Sequence, residues 1–285
     1  MWKQKLGLSV GPAFGAPETV IPLVADSGFD AVSPEWVEDG GIEACAAAAK
    51  AAGLTLQSVH APFGLMNRVW EQDPEAAKAP VEQLLRCLED CAGWEVPVMV
   101  AHAFIGFRDH TPTRVGLDRM ETVVRRAEAL GVRIAFENTE GEEYLDALMD
   151  AFRDRRAVGY CWDSGHELCY NRSRDLLGDY GDRLAMTHLN DNLGISDFGG
   201  EITWLDDLHL LPFDGITDWD EAARRLSRCA EQEILNFELT RLSKPGRHDN
   251  DGYGRLSLPE YLAECRKRAC RVAEKVRRAK SLPRL

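Results

Sequence analysis

Residues 96–137 read VPVMVAHAFIGFRDHTPTRVGLDRMETVVRRAEALGVRIAFE. Two short β-type runs, 96–102 and 133–137, enclose a helix-type segment, 113–131, rich in Ala, Leu, Glu and Arg. Gly131 is a good helix stop just before the second run. A strand, a helix and a second strand in this order set the strands parallel, joined by a helical crossover. The alternation extends both ways. Further strand candidates are 5–10, 29–33, 54–60, 158–163, 184–190 and 234–239, with helix-type stretches such as EACAAAAKAAG (43–53) and EAAKAPVEQLLRCLEDCAG (75–93) between them. Eight such units in 285 residues predict α/β architecture: a closed, parallel, eight-stranded (β/α)8 TIM barrel with a C-terminal helix. No linker or low-complexity break interrupts it, so 1–285 reads as one barrel domain.

Composition narrows the function class. The chain is 45% apolar and 28% charged, as globular proteins are. No apolar run approaches the roughly 18 residues of a membrane helix. The stretch MWKQKLGLSVG (1–11) is too short and polar in its apolar part for a signal peptide, so a cytoplasmic location is expected. The eight cysteines (45, 87, 91, 161, 169, 229, 265 and 270) form no CxxC pair. They read as small buried thiols in a reducing compartment. A net charge of −13 disfavours nucleic acid and membrane surfaces as partners, because both attract basic proteins. The basic segment 266–284 reads as a solvated helix face. No GxGxxG or GxxxxGK[ST] follows a strand, so no nucleotide-cradling loop is supported.

The polar residues that break the apolar strands share one position. Of seven histidines, His60, His102 and His188 end strands, His166 follows the sixth, and His209 lies in the loop DDLHLLPFDG after the seventh. Only His110 and His248 fall elsewhere. Glu137, Asp163 and Glu238 end strands in the same way. Residues two apart on a strand share a face. With Glu137 inward, Ala135 faces in and Ile134 and Phe136 face the helices. With Asp163 inward, Gly159 and Cys161 accompany it, and Tyr160 and Trp162 face out. Ile234 and Asn236 share the side of Glu238. The strand-end groups therefore meet at the C-terminal mouth, where such barrels carry their sites. Burying them without partners is costly, and a metal ion collecting N and O ligands removes that cost. In VGYCWDSGHE (158–167), Gly165 is expected to supply the turn that brings His166 to the same pocket.

Seven motifs, SVHAPF, VAHAF, FENTE, WDSGH, THLNDN, DDLHLLPFDGITDW and FELT, occur in order on successive units. Through them the chain resembles the xylose isomerase-like (AP endonuclease family 2) TIM-barrel superfamily from KLGLSVG to NFELT. That group contains sugar isomerases, ketose 3-epimerases, inosose dehydratases and zinc-dependent apurinic-site endonucleases. The resemblance to ketose epimerases implies one divalent metal held by Glu137, Asp163, His188 and Glu238. It also implies substrate contacts from Glu143 and His166, whereas a substrate-contacting Arg of those enzymes is replaced by Gly194. The endonuclease branch implies three zinc ions with His60, His102, His166, Asp207 and His209 as further ligands. Sugar-active relatives keep those histidines too, so His60, His102 and His209 are read first as substrate-site residues. No cationic, wedge-bearing loop able to open a duplex is evident.

The expected activity is a metal-dependent sugar isomerase or epimerase using Mn²⁺, Mg²⁺, Co²⁺ or Zn²⁺. Glu137 and Glu238 would exchange an α-proton of a keto-sugar or related polyol through an enediolate. The alternatives are the zinc-dependent phosphodiesterase of the apurinic-site endonuclease type and a sugar dehydratase or lyase on the same site. Asn190 and Asp191 are expected to orient ligands. Trp36, Trp70 and Trp204 are candidates for a sugar-stacking wall, Trp162 for helix packing, and the loop 240–253 for a cap. Relatives commonly pair or form tetramers, which leaves a homodimer or a homotetramer open for this chain.

Overall fold

The structure is a computed structural model that describes residues 4–108, 111–195 and 201–281. His110, the segment 196–200 and the last residues of the basic tail lie outside these. The strands are β1 (Lys5–Val10), β2 (Ala31–Pro34), β3 (Thr55–Leu56), β4 (Ser58–His60), β5 (Val98–His102), β6 (Arg133–Glu137), β7 (Val158–Asp163), β8 (Leu184–His188) and β9 (Ile234–Phe237). All their ladder pairings are parallel, in the orders β3-β2-β1-β9 and β4-β5-β6-β7-β8.

The expected strand 54–60 is divided at Gln57. Thr55–Leu56 pairs with β2 and Ser58–His60 with β5, while the Gln57 amide still donates to Val32 O at 3.0 Å. One strand thus passes from one sheet into the other, and β3 with β4 counts as one stave of eight. On the far side the ring closes where Leu189 N donates to Asn236 O at 3.0 Å and Glu238 N to Leu189 O at 3.3 Å.

The helices Pro17–Asp26, Glu43–Ala52, Pro74–Gly93, Arg114–Leu130 and Glu142–Ala151 each link one strand to the next. Gly53 (φ 71°) and Gly131 (φ 70°) end two of them in the left-handed conformation that glycine tolerates. The short helices Ser164–Cys169 and Leu176–Tyr180 follow β7, Trp219–Leu226 follows β8, and Leu258–Ser281 completes the described chain. The basic residues of that last helix are largely paired, for instance Lys275 with Asp220 and Arg268 with Asp214 and Glu264.

Strand parity holds. Ile134, Phe136, Tyr160 and Trp162 join the large apolar layer between strands and helices. Val100, Ala135, Cys161 and Met186 form a small separate cluster inside the ring, beneath the polar strand ends. Five of the cysteines are buried, but Cys270 is exposed on the final helix, contrary to the expectation for all eight. No helix among the described residues is long and apolar enough to cross a membrane.

Candidate metal centre

Glu137 stands at the middle of the strand-end groups and is 1% exposed. His188 Nδ1 lies 2.9 Å from its Oε1, and His60 Nε2 lies 3.3 Å from its Oε2. His102 Nε2 is 3.6 Å from Oε2, and His166 Nδ1 is 3.5 Å from Oε1. Four imidazoles therefore surround one carboxylate. Glu238, which follows β9, faces the other side of His188, with Oε2 2.8 Å from Nδ1. Unlike Glu137, its side chain keeps 24% of its surface open.

Asp163 is fully buried at the end of β7, and its Oδ1 accepts the His166 amide at 2.6 Å as an N-cap of the helix Ser164–Cys169. Its Oδ2 accepts from Asn190 Nδ2 at 2.7 Å. Asn138 fixes its backbone from both sides, with Nδ2 donating to Asp163 O and Oδ1 accepting Asp163 N. A second group lies beside it. His209 Nε2 is 2.8 Å from Asp207 Oδ2, and His166 Nε2 is 3.4 Å from Asp207 Oδ1.

Two groupings place one donor atom from each member within 4.8 Å of all the others: Glu137, Asp163, His188 and Glu238, and His166, Asp207 and His209. A third, His60, Glu137 and His188, overlaps the first. The donors fit a divalent cation. They are carboxylate oxygens and imidazole nitrogens, and the buried His102 Nδ1 and Asp207 Oδ1 have no hydrogen-bond partner.

The electrostatics follow from burial against pairing. Burial raises Glu137, but His188, His166 and His60 hold it well below the usual carboxylate range. Burial also raises Glu238, and His188 outweighs it, bringing the group down to about 2. Asp163, with less compensation, is pushed by burial up to about 6. Burial disfavours the charged imidazoles, yet Cys161 and Glu137 hold His188, and Asp163 and Asp207 hold His166, well above the ordinary value. Asp207 likewise holds His209 at about 9. His102 is the exception, lowered by burial to about 3.

Several expectations change. Gly165 is not left-handed. It sits in the helix Ser164–Cys169, and a Cβ there would overlap Asn190 Oδ1, so its need is space for the residue that holds Asp163. Gly165→Ala should displace Asn190 and cost about 1–3 kcal/mol of stability; a chemical-denaturation midpoint equal to the parent's would refute this. Asn190 orients Asp163 as expected, but Asp191 holds no candidate ligand. Its carboxylate accepts from Phe213 N, Thr217 N, Thr217 Oγ1 and Trp219 Nε1, pinning the loop before the helix Trp219–Leu226. Trp36 and Trp70 are buried, with Nε1 donating to Asp90 and to Ala103 O, so neither offers an open face for stacking. Trp162 packs outward under Arg225, and Trp204 alone of the four is exposed.

Glu143 is exposed on the wall of a cavity of about 510 Å³ that also includes Glu140, Phe107 and Tyr170. The loop 240–253 touches the site through Lys244, whose Nζ is 3.3 Å from Asp207 Oδ2. His248 pairs with Asp251 at the surface, away from the cluster. Sequence reasoning missed Asn138 and two acids. Glu140, 8% exposed, accepts the Gly106 amide at 2.9 Å, and burial raises its carboxyl. Glu35 directly follows β2, and its carboxyl is tucked against Gly11. Although the residue is exposed at its rim, burial raises that carboxyl too. The signal for Glu35 was its place at a strand end, the same signal that found Glu137.

The family described as xylose isomerase-like TIM barrel matches residues 21–264. An uncharacterized protein, y4fM, of Sinorhizobium fredii is 28% identical, over 87% of this chain and 90% of its own length. Among solved structures, the IOLI protein with a binding zinc atom aligns at a TM-score of 0.71 and 17% identity, covering 96% of this chain and 99% of that one. The E. coli 3-keto-D-glucoside 4-epimerase YcjR aligns at 0.67 and 18%, covering 93% and 100%. A xylose isomerase-like TIM barrel/4-hydroxyphenylpyruvate dioxygenase fusion protein aligns at 0.68 and 16%. This chain is covered to 91% but spans only 41% of that protein. At these identities the structural likeness is one of fold.

Proposed function

The chain belongs to the xylose isomerase-like TIM-barrel family, and from that premise we propose that it is a divalent-metal-dependent isomerase or epimerase of a keto-sugar or related polyol. The observation that carries this reading is the convergence of Glu137, Asp163, His188 and Glu238 from four strand ends within 4.8 Å. The sugar epimerases among its structural neighbours support the substrate class.

These four residues would hold Mn²⁺, Mg²⁺, Co²⁺ or Zn²⁺, which as a Lewis acid supplies polarisation of a carbonyl and its neighbouring hydroxyl. Glu238, open to the mouth, removes the α-proton. Glu137, protonated in turn by the neighbouring imidazoles of His60 and His166, delivers a different proton to the other face, giving epimerisation. Return to the adjacent carbon from the same side gives isomerisation. Asn138 and Asn190 hold Asp163 in place, and His166 binds a substrate hydroxyl. His60 and His102 flank Glu137 and His209 pairs with Asp207, while Glu140 and Glu143 line the neighbouring cavity, whose Tyr170 stacks on His166. The test is solvent deuterium incorporation into a panel of ketoses with Mn²⁺ added. Exchange at the α-carbon is expected, and its absence across the panel overturns the reading.

A second reading, a zinc phosphodiesterase with three ions, is favoured by one observation: His166, Asp207 and His209 form a donor group of their own, and His60 and His102 flank Glu137. Metal analysis separates the two, with one ion per chain expected for the isomerase and three for the phosphodiesterase.

Metal affinity should rise with pH. Without a cation, His188, His166 and His209 are held protonated at neutral pH by their carboxylate neighbours. A ligating nitrogen must lose that proton, so apparent affinity should gain about tenfold per pH unit for each proton displaced. His102, already neutral, releases none. Calorimetry in buffers of different ionisation enthalpy counts the protons: one from His188 is expected for the isomerase and more, from His166 and His209, for the three-ion reading. A binding constant flat from about pH 6 to about pH 8 would contradict His188 as a ligand.

A further inference from the structure

All but one of the large apolar side chains exposed among the described residues lie on loops that follow the C-terminal ends of strands. The exception, Trp94, lies at the opposite end of the barrel. The three aromatic rings in this rim are each tied to the site. Phe63, 39% exposed, stacks on His102 with ring centroids 4.3 Å apart and meets His60 edge-on at 5.5 Å. Phe107, 37% exposed, meets Tyr170 edge-on at 5.7 Å, and Tyr170 stacks on His166 at 4.9 Å. Trp204, 52% exposed, has Lys244 Nζ 5.4 Å from its ring, and that same Nζ lies 3.3 Å from Asp207.

Phe107 and the segment leading to Trp204 flank one opening. Phe107 and Tyr170 line the cavity of about 510 Å³ together with Glu201 and Ile202. A cavity of this size suits a ligand larger than a single sugar ring. The buried histidines and carboxylates answer the hydroxyls of a sugar ring, and the open aromatic rings lie one side chain further out, where apolar surface carried beyond that ring would be laid on them. An apolar rim of this kind marks a recognition site. Glu140, Glu142, Glu143 and Glu201 outnumber Arg108 and Arg172 in the lining, and with a net charge of −13 they disfavour an anionic polymer or membrane as its occupant.

We infer that the substrate is a keto-sugar bearing an aromatic substituent, a glycoside with a ring carbonyl whose apolar group rests on Phe107 and Trp204 while its sugar ring enters the cluster beneath Phe63. This deepens the isomerase reading and rests on it. The substituent adds binding without chemistry of its own, and it selects glycosides over free sugars.

The test titrates the intact, Mn²⁺-loaded chain with matched methyl and phenyl glycosides of glucose, galactose and xylose, in plain and 3-keto forms. In at least one pair the phenyl form should bind at least about tenfold tighter. The Phe107→Ser/Trp204→Ser double variant should bring that ratio to within about twofold and leave the methyl affinity unchanged. Both positions are exposed, and circular dichroism checks that the fold is kept. Equal binding within every pair, or equal loss of both partners in the variant, overturns the inference. So does a dimer that the variant dissociates, since the rings would then belong to a second copy. Absence of any glycoside binding, with deuterium exchange on free ketoses intact, defeats this inference alone; absence of both defeats the isomerase reading with it.

Discussion

Glu238→Gln is expected to slow proton exchange at the substrate α-carbon by about 10²–10⁴-fold, the usual contribution of a positioned base. Glutamine keeps the shape and the contact with His188 but cannot accept the proton. Two features single out Glu238 over Glu137. Its side chain is 24% exposed where that of Glu137 is 1% exposed, and Glu137 is hemmed in by His60, His102, His166 and His188. Glu238 is also held at about 2 by His188 despite burial, so it is ionised, and available as a base, throughout the neutral range. Any loss of rate at low pH should come from reprotonated histidines and from Asp163, pushed by burial up to about 6, rather than from this carboxylate. Because Glu238 is also a proposed ligand, metal content must be measured beside deuterium uptake. A variant that keeps its metal and still exchanges at the parental rate sinks the role of Glu238 as base.

How much of this was legible in the sequence depends on which forces leave a pattern. Period-two alternation showed which residues of β6 and β7 face inward, and the apolar layer and inner cluster bear it out. The eight-unit barrel followed from strand and helix alternation. The polar strand ends were visible because a His, Asp or Glu closing an apolar run is chemically out of place. The division at Gln57 was hidden, because the apolar pattern of 54–60 runs on while its hydrogen-bond partners change from β2 to β5. The roles of Gly165 and Asp191 were hidden for a different reason. Both depend on residues about 25 positions away, Asn190 for one and Phe213, Thr217 and Trp219 for the other, and no local rule reports such contacts. Trp36 and Trp70 misled because an indole buried with its N–H satisfied reads, in one dimension, like an indole at a binding site. Glu140 was passed over because loop carboxylates are common and only its burial sets it apart, whereas Glu35 carried a strand-end signal that was not followed.

Arg225→Met should destabilise the protein by about 3–5 kcal/mol, the cost of stranding one member of a buried ion pair. The partner, Glu167, is 4% exposed and comes directly after His166. Arg225 grips both of its oxygens, Nη1 at 2.6 Å and Nη2 at 2.8 Å, and its guanidinium lies 5.5 Å from the ring of Trp162. Trp162 Nε1 donates to Glu167 Oε2 at 3.0 Å, so the clamp ties the helix Trp219–Leu226 to the back of the turn that carries Asp163 and His166. Methionine fills the space of the arginine stem but leaves Glu167 charged, buried and held only by the indole. The double variant Arg225→Met/Glu167→Gln removes the charge, and its amide oxygen can still accept from Trp162, so it should recover most of the loss. Denaturant unfolding of the parent, both single variants and the double variant gives the coupling directly. A single-variant loss below about 1 kcal/mol would mean that the pair behaves as a surface contact. If the clamp holds, metal affinity should fall along with stability in Arg225→Met, because a loosened turn no longer presents Asp163 and His166 in register with Glu137.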